Sequence, residues 1–153
     1  MGIKKKRFVV AFIGAGSMGE EHIKTFFKFK KYFLLKGILS KKNITAKKIA
    51  KKYKIENVCS SIKDLYFKTK ADLVVISVPV LETKKVCIQS FKYPWKFLIE
   101  KPVGYNLNDA KIIYKAAVKR KHLNNIVVGL NRRNYLSTLK TLEDLKTNRS
   151  KRF

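Results

Sequence analysis

Cysteine is nearly absent from this chain, with two residues among 153. Cys59 and Cys87 form neither a CxxC pair nor a disulfide framework, so the sequence indicates the reducing cytoplasm. No apolar run approaches the roughly 18 residues that a membrane span needs. Residues 4–15, a basic cluster followed by apolar residues, imitate a secretory signal. The apolar stretch is short and runs into glycines, so we interpret it as a strand.

Acidic residues are also few: 10 Asp and Glu stand against 36 Lys and Arg, a formal net charge of +26. Such an excess attracts nucleic acid, anionic membranes or phosphorylated ligands. Most of the basic residues are lysines scattered over every predicted helix face, in a chain whose composition is typical of an A+T-rich genome. We therefore favour a solvated surface over nucleic-acid binding, since no stacking-aromatic platform or nucleic-acid motif accompanies the charge.

What the chain does contain is an alternation of strands and helices in one globular unit. The hydrophobic fraction is 46% and the charged fraction 30%, values typical of a soluble domain with a core. We predict strands at residues 8–13, 33–39, 57–59, 72–77, 96–99 and 126–130. Helices are predicted between them, because parallel neighbours need crossovers. This order indicates an α/β fold with a doubly wound parallel sheet, the Rossmann fold.

Apolar periodicity and capping residues locate the predicted helices. One helix starts at Ser17, another opens at Ser61 with Asp64 three residues later, and a third covers residues 82–91. Asn108 is predicted to cap a longer helix. Two apolar stripes are predicted to face the core: Ala46, Ile49, Ala50 and Tyr53, and then Ala110, Ile113, Tyr114, Ala117 and Val118.

The tail differs from the rest of the chain. After Asn134, leucines at 136, 139, 142 and 145 indicate the start of a helix. We therefore predict a dinucleotide-binding domain over residues 1–133 and the start of a second domain over residues 134–153, with the remainder of that domain missing. Exposed apolar surface on such a segment favours self-association.

A glycine-rich turn follows the first predicted strand. Gly14, Gly16 and Gly19, with Ser17 and Met18 between them, form a G-x-G-x-x-G pattern that opens a helix. The first glycine permits the tight turn, the second leaves room for a pyrophosphate, and the third lets helix and strand pack closely. The helix N-terminus then offers N–H groups to the phosphates. In this strand–turn–helix setting the pattern predicts a dinucleotide site, whereas a structural turn is the alternative.

The end of the second predicted strand bears on the choice between NAD and NADP. NAD-binding folds usually place Asp or Glu there to bind the ribose 2′-OH, but this chain has Ser40, Lys41 and Lys42. A hydroxyl and cations accept a 2′-phosphate, whereas a carboxylate repels it. We therefore favour NADP, with NAD as the other possibility; the alternative is that these are two more surface lysines.

Glu100, Lys101 and Pro102 follow the fifth predicted strand. Ligands of open α/β sheets lie at the carboxyl ends of the strands, so this tripeptide is placed at the nicotinamide end. Proline restricts the backbone of Lys101 and allows a cis bond. An ammonium there could orient a substrate hydroxyl and ease its deprotonation; spacing alone also allows a surface loop lysine.

These segments together make the chain resemble the glucose–fructose oxidoreductase, inositol dehydrogenase and MocA family (Gfo/Idh/MocA) over about residues 6–146. They come in the family's order and spacing: 14–19, 40–41, Ser77 to Pro79, 100–102 and 129–133. The resemblance implies NAD(P)-dependent oxidation or reduction of a sugar, cyclitol or related carbonyl compound. It implies that the lysine matching Lys101 lies beside the nicotinamide and substrate. It also implies that the glycine loop and the ends of the second and fourth strands, including Ser77 and Pro79, hold the cofactor.

Two departures from the family pattern leave alternatives open. Family members often carry Pro-Asn-x-x-His after the fourth strand, where this chain reads Pro79-Val80-Leu81-Glu82-Thr83. Neither His22 nor His122 matches the catalytic partner that the family's second domain supplies, and we interpret both as helix-surface or packing residues. We expect either an oxidoreductase by descent that binds NADP but lacks turnover on its own, or a non-catalytic dinucleotide-sensing or interaction module. In the first case the chain is a fragment, a split subunit completed by a neighbouring polypeptide, or a degraded copy. The expected protein partner is a complementing subunit or a second copy of the chain in a homo-oligomer.

Overall fold

The computed structural model describes residues 6–147, which form one sheet of six strands with helices between them. The strands are β1 (Phe8–Ile13), β2 (Phe33–Leu39), β3 (Asn57–Cys59), β4 (Leu73–Ile76), β5 (Lys96–Ile99) and β6 (Ile126–Val128). The helices are α1 (Ser17–Lys28), α2 (Asn43–Tyr53), α3 (Ile62–Thr69), α4 (Val80–Ser90), α5 (Leu107–Lys119) and α6 (Leu136–Thr147). Within this range, none of the helices is both long and apolar enough to span a bilayer.

The strands lie in the order β3-β2-β1-β4-β5-β6, and every neighbouring pair is parallel. The order reverses between β1 and β4, which is where open sheets of this kind form a crevice for ligands. The predicted doubly wound parallel sheet is therefore confirmed, and the crevice lies at the carboxyl ends of β1 and β4.

The core has one layer on each face of the sheet. Val10 and Phe12 pack into one buried cluster with α1 and α2, and Ala11 and Ile13 into the other with α3, α4 and α5. Alternate side chains of a strand point to opposite faces, so β1 is covered on both. This explains why its sequence is a continuous apolar run rather than an alternating one.

Three lysines occupy left-handed backbone positions at helix ends. Lys54 ends α2 with φ 54°, and its N–H donates to the carbonyl of Ala50. Lys70 ends α3 with φ 48° in the same way, and Lys121, just after α5, has φ 57°. Glycine is the usual residue at such positions, because a Cβ is disfavoured there.

The start of α5 differs from the prediction. Asn106, not Asn108, caps the helix: the Asn106 side chain accepts a hydrogen bond from the N–H of Asp109 at 2.9 Å. Its backbone is extended, as the cap position requires, whereas Asn108 already lies inside the helix.

The predicted inward stripe of α5 is only partly correct. Ile113 and Ala117 are buried, but Tyr114 and Val118 are 59% and 46% exposed. Each of these two follows a buried residue by one position, which on a helix is a rotation of about 100° away from the core. The stripe of α2 is buried as predicted.

Other element boundaries also differ from the prediction, including β4, which is one residue shorter at each end. Helix α4 begins at Val80, two residues before the predicted start, and the Pro79 carbonyl accepts the N–H of Glu82 in its first turn. Strand β6 ends at Val128 rather than at residue 130, because the N–H of Leu130 turns back to the Val128 carbonyl at 2.7 Å.

Helix α6 is present where the tail leucines predicted it, but it contributes no buried residue. Leu136, Leu139, Leu142 and Leu145 are between 43% and 81% exposed. The last part of the predicted second-domain segment, residues 148–153, and residues 1–5 of the predicted first domain lie outside the described residues.

Candidate functional site

The loops that follow β1, β2, β3, β4 and β5 line one open cleft of about 1030 Å³ at the carboxyl edge of the sheet. This cleft contains every predicted site residue except Gly19: Gly14, Gly16, Ser17, Met18, Ser40, Lys41, Ser77, Pro79, Glu100 and Lys101. Parallel strands bring their carboxyl ends to one edge, so residues up to 87 positions apart in sequence meet there.

In the glycine turn, close backbone contacts require glycine at two positions, whereas the third glycine has free space beside it. Gly14 has φ 112°, and a Cβ on it would lie 1.9 Å from the Ser77 carbonyl oxygen. A Cβ on Gly19 would lie 2.5 Å from the Gly14 carbonyl oxygen, so the close packing of α1 against the turn requires glycine there as well. A Cβ on Gly16 would meet nothing within 4 Å. Gly16 thus faces space on the cleft side, where a ligand can approach the bare backbone.

The N-terminus of α1 points its first N–H groups at this space. Gly16 is the capping residue, and no side chain caps the helix. The first backbone N–H groups of a helix have no intrahelical acceptor, and the helix dipole adds partial positive charge there. The turn therefore fits the pyrophosphate of a dinucleotide in both shape and charge.

An ion pair joins the end of β2 to the start of α4. Lys41 Nζ lies 2.6 Å from Glu82 Oε1, with the Lys41 side chain 80% exposed and that of Glu82 31% exposed. This hydrogen bond and the charge of Lys41 lower the pKa of the Glu82 carboxyl below its usual value, and Lys85 adds to the effect. Because β1 lies between β2 and β4 in the sheet, the pair connects elements on either side of β1.

At the end of β5, Glu100 makes two hydrogen bonds. Its Oε1 lies 2.9 Å from His22 Nε2 on α1, and its Oε2 accepts the backbone N–H of Lys101 at 3.1 Å. The Lys101–Pro102 peptide is cis. A Cβ on Gly129 would lie 2.9 Å from Glu100 Oε1, so the glycine after β6 leaves room for this carboxylate. Glu100 is thereby held between α1 and β6.

The wall after β4 combines backbone and side-chain contributions. Ser77 is buried and presses its carbonyl against Gly14, while Pro79 caps α4 and lines the cleft. Val80 stands where the family pattern has Asn, and Thr83, which is buried, stands where it has His. This wall therefore offers less hydrogen bonding than the family pattern predicts.

The charged side chains that line the cleft are four lysines and two glutamates: Lys41, Lys42, Lys85, Lys101, Glu82 and Glu100. The excess of cations suits an anionic ligand. The cation at the cleft's β2 end is Lys41, and Lys101 lies at the β5 end; the glycine turn is between them.

Several cleft residues were missed by sequence reasoning. Ser60 and Ser61 follow β3 and line the cleft; applying the carboxyl-edge rule to this short strand would have found them. Glu82 and Lys85 lie within the predicted helix 82–91, but no signal in its sequence placed them at the cleft. The hydrogen-bond partner of His22 was not predicted, although His22 lies one helical turn after Gly19, on the side of α1 that faces the sheet edge.

His122 has the packing role that the sequence analysis assigned. It is buried, its Nε2 lies 3.1 Å from the Phe91 carbonyl oxygen, and its ring lies against Phe91 and Phe97. Across residues 6–147, no three His, Cys, Asp or Glu side chains are grouped so that they could hold a metal ion.

The comparison that decides the family is the sequence profile described as "Oxidoreductase family, NAD-binding Rossmann fold", which matches residues 8–129. The chain belongs to the Gfo/Idh/MocA family. The resemblance in its motifs is thereby confirmed, and the chain contains the family's NAD-binding Rossmann domain. No curated protein sequence matches it.

Solved structures of several dehydrogenases share the fold. The myo-inositol dehydrogenase of Lactobacillus casei, in complex with NAD(H) and myo-inositol, has a TM-score of 0.86 at 20% identity, covering 94% of this chain and 42% of that one. The scyllo-inositol dehydrogenase of the same organism has a TM-score of 0.85 at 16% identity, and the match covers 96% of this chain and 44% of that one. The UDP-N-acetylglucosamine 3-dehydrogenase of Acidithiobacillus ferrooxidans has a TM-score of 0.77 at 19% identity, and the match covers 92% of this chain and 44% of that one. This Gfo/Idh/MocA chain thus spans less than half the length of each.

Proposed function

We propose that this chain is an NADP-preferring dinucleotide-binding domain of an oxidoreductase that acts on a sugar, cyclitol or related carbonyl compound by hydride transfer. One observation carries the proposal. The Gly14–Gly16 turn opens into a cleft with Lys41 at one end and Lys101 at the other. A dinucleotide has a pyrophosphate at its middle, so its central charge and its two ends match this arrangement.

The cofactor contacts follow from the chemistry of each cleft residue. The backbone at Gly14 and Gly16, with the N–H groups of Ser17 and Met18, would bind the pyrophosphate, while Gly19 lets α1 approach β1. Ser40 and Lys41 would bind the 2′-phosphate. The part of the cofactor that lies over the ends of β4 and β5 would contact Ser77, Pro79, Glu100 and Lys101. The nicotinamide supplies the hydride acceptor or donor when bound.

Lys101 is the proposed substrate-side cation. Its backbone N–H is fixed by Glu100, which is itself held by His22. An ammonium at the end of β5 would orient a substrate hydroxyl and stabilise negative charge on its oxygen during hydride transfer. Glu100 and His22 would act through Lys101 as positioning residues.

A second domain would supply the rest of the substrate pocket. Two observations support this: the related dehydrogenases are more than twice as long as this chain, and α6 presents four exposed leucines. Residues 134–153 would belong to that domain, whether it is covalently attached, supplied by a complementing subunit or completed in a homo-oligomer. Both cysteines are buried and free, which is compatible with a cytoplasmic protein.

Calorimetric titration of the purified chain with NADPH and NADH, each at two salt concentrations, tests the proposal. We expect saturable binding of both, with NADPH tighter and its advantage reduced but not removed by salt. Equal affinities would overturn the NADP preference alone. If a folded chain bound neither dinucleotide, the oxidoreductase proposal would fail, and a non-catalytic interaction module would be the better description.

A further inference from the structure

We infer that Glu82 limits how strongly this cleft prefers a 2′-phosphorylated dinucleotide, because it occupies the same lysine that the phosphate needs. The inference rests on the proposed dinucleotide function and identifies the residue that sets its cofactor selectivity. It concerns a position in α4, away from the strand end at which such selectivity is usually determined in Rossmann folds.

The contact between Lys41 and Glu82 carries the inference. Lys41 Nζ lies 2.6 Å from Glu82 Oε1, a charge-assisted hydrogen bond between two elements 41 residues apart. Both side chains line the cleft. Lys41 follows the strand whose end, in this fold, faces the adenosine ribose of a bound dinucleotide.

Glu82 is suited to compete because it is a carboxylate held in its ionised form. The hydrogen bond from Lys41 lowers the pKa of the Glu82 carboxyl, and Lys85 adds to the effect. An ionised carboxylate competes with a 2′-phosphate for the same ammonium. The phosphate must therefore displace Glu82 from Lys41, whereas a ribose hydroxyl meets no such charge conflict.

The remaining carboxylate in the cleft does not share this position. Glu100 follows β5, separated from β2 by β1 and β4, and its oxygens are engaged by His22 and the Lys101 backbone. Lys42 and Lys85 also line the cleft, and neither makes a hydrogen bond to a carboxylate among residues 6–147. Selectivity is therefore expected to respond to Glu82 through Lys41.

The test measures the ratio of NADH to NADPH dissociation constants by calorimetry on the whole chain. Glu82→Gln keeps the side-chain shape and removes the charge. We expect it to raise the ratio by about fivefold at low salt, within the range of partly exposed ion pairs, and by less at high salt. Lys41→Met should lower the ratio. In the Lys41→Met background, adding Glu82→Gln should change the ratio by less than about twofold, since the two residues act as a pair.

Glu20→Gln is the matched control. Glu20 Oε1 lies 2.7 Å from Lys52 Nζ, and its side chain is 34% exposed, close to the 31% of Glu82. Lys52 also lowers the pKa of the Glu20 carboxyl by hydrogen bonding, but Glu20 does not line the cleft. This substitution changes the net charge by the same amount and should leave the ratio unchanged.

Each outcome is decisive. A rise confined to Glu82→Gln and lost without Lys41 supports the inference. An equal rise in Glu20→Gln would attribute the effect to net charge and overturn it. An unchanged ratio in Glu82→Gln, with both dinucleotides still binding, would overturn the inference and leave the proposed function intact. If the unmodified chain bound neither dinucleotide, both would fall.

Discussion

His22 and Glu100, 78 residues apart in sequence, are joined by a hydrogen bond of 2.9 Å between Nε2 and Oε1. The imidazole belongs to the helix that follows the glycine turn, and the carboxylate ends β5. Because the second oxygen of Glu100 accepts the Lys101 N–H, one side chain links the proposed pyrophosphate site to the proposed substrate lysine.

Breaking this link gives the first prediction. His22→Leu removes the partner of a carboxylate whose side chain is 14% exposed, and we expect the free energy of unfolding to fall by about 1–3 kcal/mol. His22→Gln keeps a hydrogen-bond donor and should recover at least half of the loss. Urea unfolding at pH 7 measures both. Equal losses in the two variants would show that ring packing, not the hydrogen bond, matters at this position.

Substitutions at two glycines of the turn are expected to have different effects, one on folding and the other on binding, which gives the second prediction. Gly14→Ala forces a Cβ to 1.9 Å from the Ser77 carbonyl oxygen and should destabilise the fold by more than about 2 kcal/mol. Gly16→Asp meets no protein atom within 4 Å, so the chain should stay folded, but the carboxylate would repel the pyrophosphate and abolish dinucleotide binding. Thermal unfolding and calorimetry distinguish the two effects. Unchanged affinity in folded Gly16→Asp would contradict the proposed site.

The third prediction concerns the cap of α5. Asn106→Ala removes the acceptor of the Asp109 N–H and should lower the free energy of unfolding by about 1 kcal/mol. Asn108→Ala, two residues inside the helix, should be neutral or slightly stabilising, because alanine has the higher helix propensity. Chemical denaturation of the two variants compares them directly. A larger loss for Asn108→Ala would return the cap to that residue.

The buried thiols provide the fourth prediction. Burial raises the pKa of the Cys87 thiol to about 12 and that of the Cys59 thiol to about 11, with Asp64 adding to the Cys59 shift. A raised thiol pKa leaves little of the reactive thiolate at pH 8, so alkylation of the folded chain should be at least about 100-fold slower than in denaturant.

Cys59→Ala and Cys87→Ala variants assign the alkylation rates to each thiol. Alkylation of Cys59 in the folded chain at the rate measured in denaturant would contradict this prediction. It would mean that the end of β3 opens locally and exposes the thiol while the rest of the chain stays folded.

The sheet could be predicted from the sequence because each strand carries its own signal. A continuous apolar run such as β1 is typical of a strand buried on both faces, and the helices between the strands supply the crossovers that parallel neighbours need. The glycine turn was predictable for the same reason: its strand, turn and helix are contiguous in sequence. The cleft residues that follow β2 and β5 were predicted by one topological rule, the position of ligands at the carboxyl ends of parallel strands.

What the sequence did not predict depends on contacts between distant residues. Nothing near His22 in sequence indicates that its ring reaches Glu100, and nothing near Lys41 indicates Glu82. The cap at Asn106 was missed because Asn106 and Asn108 both precede the same apolar pattern, and propensity does not distinguish them. Only the three-dimensional path of the chain selects between such alternatives.

The lysines in left-handed conformation after α2, α3 and α5 connect the basic composition of this chain to its stability. A side chain in that conformation costs roughly 1–2 kcal/mol relative to glycine. Lys54, Lys70 and Lys121 therefore each combine local backbone strain with a positive charge in an already strongly basic molecule. Glycine at these positions would relieve strain and charge repulsion together. All three lie outside the cleft, so a more robust form of the protein is accessible without altering the proposed dinucleotide-binding surface.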